Sequence, residues 1–109
     1  MPFYNSETRE SKEIIPDEIA IKTFWGENIM LAVVELKAKA VLPLHSHPHE
    51  QAGMVLEGDL EFHIDNEVRH LHSGDMYIIP GGVPHLVYVG NTPAKVLDIF
   101  SPTREEYKY

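Results

Sequence analysis

Three imidazoles and a carboxamide fall within one short stretch, His45-Ser46-His47-Pro48-His49-Glu50-Gln51. A fourth imidazole, His85, follows Pro80-Gly81-Gly82-Val83-Pro84. Neutral imidazole binds first-row divalent ions: Zn, Ni, Co, Fe(II), Mn or Cu. Two clustered histidines plus a distant third are the minimum for such a site, so the chemistry on offer is metal binding. His45 and His47 are two apart and project from one face of an extended segment. His49 and Gln51 share that parity, so parity alone does not choose between them. Pro48 forces His47 into an extended conformation and marks a bend or bulge. The bland alternative is a solvated strand histidine, and His63, His70 and His72 are read that way.

The elements that must carry these residues read as strands. Ile19–Trp25 is rich in β-branched and aromatic residues, and Gly26-Glu27-Asn28 is a turn. Ile29–Leu36 is almost continuously apolar, which suits a strand buried on both faces. Lys37–Leu44 reads as a loop ending at Pro43. Ala52–Leu56 is the next strand, followed by the alternating Leu60–Asp65, then Val68–His72, Met76–Ile79, Leu86–Val89 and Val96–Phe100. Gly, Asp, Asn and Pro turns separate them. About eight short strands and no convincing helix predict an all-β sandwich or barrel. Residues 1–16 read as a polar N-terminal arm, with Phe3, Tyr4, Ile14 and Ile15 free to lie along the domain or a partner. Residues 17–109 read as the barrel with a short C-terminal tail, in which Tyr107 and Tyr109 are candidate anchors.

The 109 residues suit one domain. A chain of this size buries roughly two-thirds of its unfolded surface, so it can fold without disulfides. It has no cysteine, which removes thiolate chemistry and zinc-ribbon sites. Nine Lys and Arg against seventeen Asp and Glu give a formal charge of −8, a poor match to nucleic acid or an anionic membrane. A small anionic substrate remains compatible, because it responds to the local field of a pocket. No secretory signal and no bilayer-spanning apolar run is evident, so the expected compartment is the cytoplasm.

Between Ala38 and Phe100 the chain resembles the cupins. Their first motif runs Gly, five residues, His-x-His, three or four residues, Glu, six residues, Gly; here stand His45, His47, Gln51 and Gly58. Their second runs Gly, five residues, Pro-x-Gly, two residues, His, three residues, Asn; here stand Gly74, Pro80, Gly82 and His85. The resemblance implies a single cupin barrel (a double-stranded β-helix, or jelly roll) and one divalent transition metal, Zn, Ni, Mn, Fe or Co. It implies His45, His47, Gln51 and His85 as ligands, and it places His49 in a spacer, outside the ligand set. Lys39 and Val89 replace the first Gly and the final Asn. Gln51 stands where the family has Glu, so the site keeps a charge of +2 instead of +1. A stronger Lewis acid and a better partner for an anion follow, together with weaker metal binding.

A narrower resemblance covers His-Ser-His-Pro-His-Glu-Gln, Gly-Gly-Val-Pro-His and Asp98-Ile99-Phe100-Ser101-Pro102-Thr103-Arg104-Glu105. It is to the small cupins of pectin and alginate breakdown, which convert 4,5-unsaturated monouronates to open-chain 4-deoxy-5-keto-uronates. It implies a small sugar-acid substrate, with Asp98 and Arg104 catalytic and Phe100 and Arg104 binding substrate. A small barrel leaves sheet edges and apolar surface to cover, and cupins commonly dimerise, so a homodimer is expected, with the arm as one available cover. Without the resemblance, Phe100 is plain core, Arg104 is a solvated tail residue, and Asp98 needs a buried partner. The competing functions are a cupin dioxygenase, a non-enzymatic binding or sensor module, and a metal-free sugar epimerase. Oxygen uptake discriminates the first.

Overall fold

The computed structural model describes residues 2–109. Ten strands run in chain order: β1 (Lys12–Ile15), β2 (Ile19–Trp25), β3 (Met30–Leu36), β4 (Val41–His45), β5 (Glu50–Glu57), β6 (Leu60–Ile64), β7 (Glu67–Leu71), β8 (Met76–Ile79), β9 (His85–Val89) and β10 (Ala94–Ser101). Single 3-10 turns lie at Ser6–Thr8 and Glu105–Tyr107. No helix among the described residues is long and apolar enough to cross a membrane. The all-β expectation therefore holds.

The strands form two antiparallel sheets. One has the order β1-β2-β3-β10-β5-β8, the other β4-β9-β6-β7. Alternation decides which side chains meet between them. β10 buries Ala94, Val96, Asp98 and Phe100 and turns Lys95, Leu97 and Ile99 outward. Facing residues Leu60, Phe62, Val87 and Val89 close the core from the smaller sheet. The turn Asp65-Asn66 joins β6 to β7, with Asp65 in the left-handed region at φ 54°, which a short polar side chain tolerates.

Three readings of the sequence are corrected. Residues 37–44 are not all loop: Val41–His45 is the edge strand of the smaller sheet. Pro43 is accommodated because the β4–β9 register shifts between Leu42 and His45, where no ladder N–H is needed. Residues 12–15, read as arm, pair with β2 as β1. β3 is not buried on both faces; it alternates, and Leu31 is 39% exposed. Its apolar run reflects an outer sheet face that is itself apolar.

The tail is strapped to the sheet. The Thr23 hydroxyl donates to the Tyr107 carbonyl at 2.7 Å, the Tyr109 hydroxyl donates to the Ile21 carbonyl at 3.1 Å, and the Arg9 guanidinium lies 3.9 Å from the Tyr109 ring centroid. Tyr4 packs on Phe24 at 4.9 Å, so this part of the arm lies along its own domain.

Candidate metal centre

His45 ends β4, and His85 begins β9 directly opposite it in the register. His47 follows in the bend that leads to β5. Nitrogen atoms of these three rings lie within 4.8 Å of one another. Ring centroids are 4.1 Å apart for His45–His85 and 5.0 Å for His47–His85. Strand parity is not what collects them with Gln51. The bend at residues 46–49 carries the chain from the smaller sheet to the larger one, so Gln51 meets the histidines from across the barrel.

Each imidazole is held in one tautomer. Nδ1 of His45 donates to the Pro43 carbonyl at 2.7 Å, Nδ1 of His47 to His49 at 3.1 Å, and Nδ1 of His85 to Val83 at 2.9 Å. A carbonyl only accepts, so the proton is on Nδ1 and each Nε2 is a lone pair. Nε2 of His85 is buried without any partner. Nε2 of His47 lies 3.0 Å from Gln51 Oε1, an acceptor against an acceptor. Gln51 also favours the charged form of Asp98, and a carboxylate attracts the NH₂ end of the amide, leaving the oxygen toward His47. An inward set of lone pairs with no donors among them is what a divalent cation satisfies, and carbonyl-oriented imidazoles are its usual supports. The residues present therefore fit the ion.

Burial acts in the same direction. It pushes His85 down to about 4, with smaller contributions from the charges of His45, His47 and Arg104, against the Val83 hydrogen bond. His47 is lowered by burial and then by Arg104. Neutral imidazoles at neutral pH are ligand-ready.

Asp98 sits behind this group, 7% exposed. Burial pushes its carboxyl up to about 6, partly opposed by hydrogen bonds from Tyr77 and Gln51 and by the Arg104 charge. The buried partner it needs is Tyr77, whose hydroxyl donates to Asp98 Oδ1 at 2.6 Å. Sequence reading passes over Tyr77. Its signal lies across the strands: Gly53 pairs with Asp98 on one side and Tyr77 on the other. A Cβ at Gly53 would overlap both the Tyr77 ring and Asp98 Oδ1, so glycine makes room for the bond.

Phe100 is buried on the same face, its ring 5.7 Å from His47. Arg104 is 8% exposed, not a solvated tail residue. It lies over Tyr107 at 4.0 Å and Phe100 at 5.1 Å. One Nη donates to Glu106 at 3.3 Å, and Nε is buried with no partner. His49 stands outside the converging trio, its ring 5.5 Å from His47 and its Nδ1 buried and unpartnered.

Two spaces adjoin the centre. A cavity of about 20 Å³ inside the barrel is bordered by Gln51, Tyr77, His85 and Asp98. A groove of about 450 Å³ outside it is bordered by Lys12, Ile15, Leu42, His45, Glu106 and Tyr107.

Comparison with known proteins places this geometry. The Cupin domain family matches residues 32–100. The pectin degradation protein KdgF of Dickeya dadantii is 30% identical over 84 residues, 76% of each chain. The structure of KdgF from a Halomonas species superposes with a TM-score of 0.91 at 27% identity, over 97% of this chain and 99% of that one. An RmlC-like cupin from Shewanella frigidimarina gives 0.91 at 25% identity, over 99% and 96%. With the family match covering well over half its length, and with both cupin motifs converging on one buried imidazole cluster, the chain belongs to the cupins.

Proposed function

We propose that the protein converts 4,5-unsaturated monouronates to open-chain 4-deoxy-5-keto-uronates, in the cytoplasm, with one divalent transition metal held by His45, His47, Gln51 and His85. The carrying observation is the juxtaposition of unpaired atoms. A buried guanidinium nitrogen of Arg104 and a buried imidazole nitrogen of His85 both lack partners, and the Arg104 charge is felt at His47, His85 and Asp98. A sugar acid offers a carboxylate for the first, a divalent cation would satisfy the second, and sugar oxygens can reach that cation. The likeness to pectin degradation proteins supports that substrate class.

The reaction is an isomerisation. The anomeric hydroxyl gives up its proton, the ring C1–O bond breaks to leave an aldehyde, and C4 of the resulting enol takes a proton to leave a ketone. A bound divalent cation supplies Lewis acidity for oxygen charge that develops as the ring opens. Arg104 orients the substrate by taking its carboxylate on Nε and Nη, a two-pronged geometry, as Glu106 swings aside. The inner cavity accepts one water at most, so the sugar enters from the outer groove, at the edge bordered by His45 and by Tyr107, the ring under Arg104. Asp98 therefore moves its proton through such a water, which Tyr77 and Gln51 border. With a carboxyl near 6 it can both hold and release a proton close to neutral pH.

The test follows the ultraviolet absorbance of the conjugated double bond in fresh unsaturated galacturonate, guluronate or mannuronate. Metal-loaded protein is expected to speed its loss over buffer, and an unchanged rate ends the proposal. Arg104→Ala is expected to raise KM about 10- to 100-fold, the loss of one or two charge-assisted hydrogen bonds.

The working unit is a homodimer, and the apolar outer face of the larger sheet is its interface. Register aligns two rows there, Leu31–Ile99–Ala52–Ile78 and Val33–Leu97–Met54–Met76. Met76 and Ile78 are 74% and 68% exposed. Four adjacent strands give a face about 19 Å wide. Monomers rarely leave so much contiguous apolar surface to water, and a flat two-row face complements itself about a two-fold axis. Light scattering is expected to give a dimer mass for the parent and a monomer mass for Leu97→Lys. A monomeric parent at high concentration refutes the interface.

A further inference from the structure

Outside the barrel's imidazole cluster, one other group of metal-ligating side chains comes together among the described residues: Asp59, His70 and His72, all exposed. We propose that these three form a second divalent-metal site, on the outer surface and independent of the buried one. It would take an imidazole-preferring ion such as Zn(II), Ni(II) or Cu(II), in preference to Mg(II) or Ca(II).

The placement follows from strand geometry. His70 lies on β7 and His72 just beyond it, two residues apart, so both point to one side. β6 pairs with β7 through Leu60↔Leu71 and Glu61↔His70, which sets Asp59 opposite His72 when the ladder is extended. The donor atoms of the three all lie within 4.8 Å of one another, and His72 Nε2 is 3.5 Å from Asp59 Oδ1. Ligands about 2.0–2.2 Å from a tetrahedral zinc sit roughly 3.4 Å apart, so this pair already stands at ligand spacing.

The donors are carried on anchored turns. Asp75 Oδ2 lies 3.8 Å from His72 Nδ1, behind the ring, leaving Nε2 toward Asp59. A carboxylate that closed from this distance onto Nδ1 of a metal-bound His72 would fix its tautomer and raise its basicity. Asp75 is itself anchored, accepting the His72 backbone N–H at 2.8 Å. Both turns that carry the donors are tied down. The Gly90 N–H donates to the Asp59 carbonyl at 3.0 Å. The Ser73 hydroxyl donates to the Leu56 carbonyl at 2.9 Å, and the Gly74 N–H to Val55 at 2.8 Å. A metal here would therefore join two rigid turns at the cost of ordering only three side chains. Asp59 precedes Ile64, the partner of His85, by the length of β6, so the two sites are about 16 Å apart.

Metal-stripped protein is titrated with Zn(II) by calorimetry, and the histidine ring resonances are followed by NMR. Two equivalents are expected, the second weaker because exposed side chains must be ordered. Zn(II) is expected to shift the His70 and His72 resonances over the second equivalent, and excess Mg(II) is expected not to reverse it. The double variant His70→Asn, His72→Asn, both exposed and safe for folding, removes the second event and leaves the first. Asp75→Asn weakens the second event about 10- to 100-fold, the usual effect of losing a supporting carboxylate. Unmoved His70 and His72 resonances on Zn(II) addition, or a double variant that takes up as many equivalents as the parent, overturns the proposal. None of these outcomes depends on the buried centre.

Discussion

His85→Ala is expected to erase the stabilisation that Zn(II) or Ni(II) gives to the parent protein. At a metal concentration of a hundred times Kd, binding to the folded state alone contributes about 2.7 kcal/mol. In a domain near this size that raises the thermal midpoint by about 10 °C or more. His85 is 1% exposed, and Val83 fixes its ring so that a lone pair faces His45 and His47. Losing that ligand is expected to lower affinity by more than the 10- to 100-fold of a lost supporting residue. The metal-free variant is expected to change less than a buried large-to-small substitution normally does. Packing is lost, but a buried nitrogen without a partner goes with it, and such a group costs roughly 1–3 kcal/mol. Thermal scans with and without metal separate the two effects, done in a His70→Asn, His72→Asn background so that the exterior cluster stays silent. A metal-induced rise that survives in His85→Ala removes His85 from the ligand set.

Asp98→Asn is expected to slow uronate conversion by about 10²–10⁴-fold, the usual contribution of a positioned acid–base group, while metal binding persists. The same variant has a signature that needs no substrate. The Asp98 carboxyl stands at about 6 in the fold against 3.8 ordinarily. Between those values the folded chain holds more protons than the unfolded one, so Asp98 makes stability fall as pH rises from about 4 to 6. His85 runs the other way. Its imidazole is pushed from 6.5 to about 4, the unfolded chain binds more protons in that window, and stability rises with pH. The two slopes oppose each other in the metal-free parent. Asp98→Asn removes one, so its stability is expected to climb more steeply from pH 4 to 6.5 than the parent's. Urea denaturation at several pH values measures this. A variant profile parallel to the parent's would falsify the buried, proton-holding state of Asp98.

The sequence by itself determined the strand content, because period-two alternation in segments such as Leu60–Ile64 and Val96–Phe100 is a local property of the chain. The resemblance to the two cupin motifs named His45, His47, Gln51 and His85 as ligands, where spacing alone left His49 and Gln51 open. Local pattern could not show what lies opposite a strand. The apolar run of β3 reads the same whether its outer face meets protein or water, and only the sheet order shows that no described residue covers it. Pro43 speaks against a strand until the register shift beside His45 shows where its missing N–H is tolerated. Tyr77 is an ordinary strand aromatic until β5 sets Gly53 between it and Asp98. The same holds for Arg104, whose burial depends on Phe100 and Tyr107 coming from both sides of a tail that reads as polar. In each case the deciding term is a long-range contact or a desolvation, and both depend on which strands the tertiary structure makes neighbours.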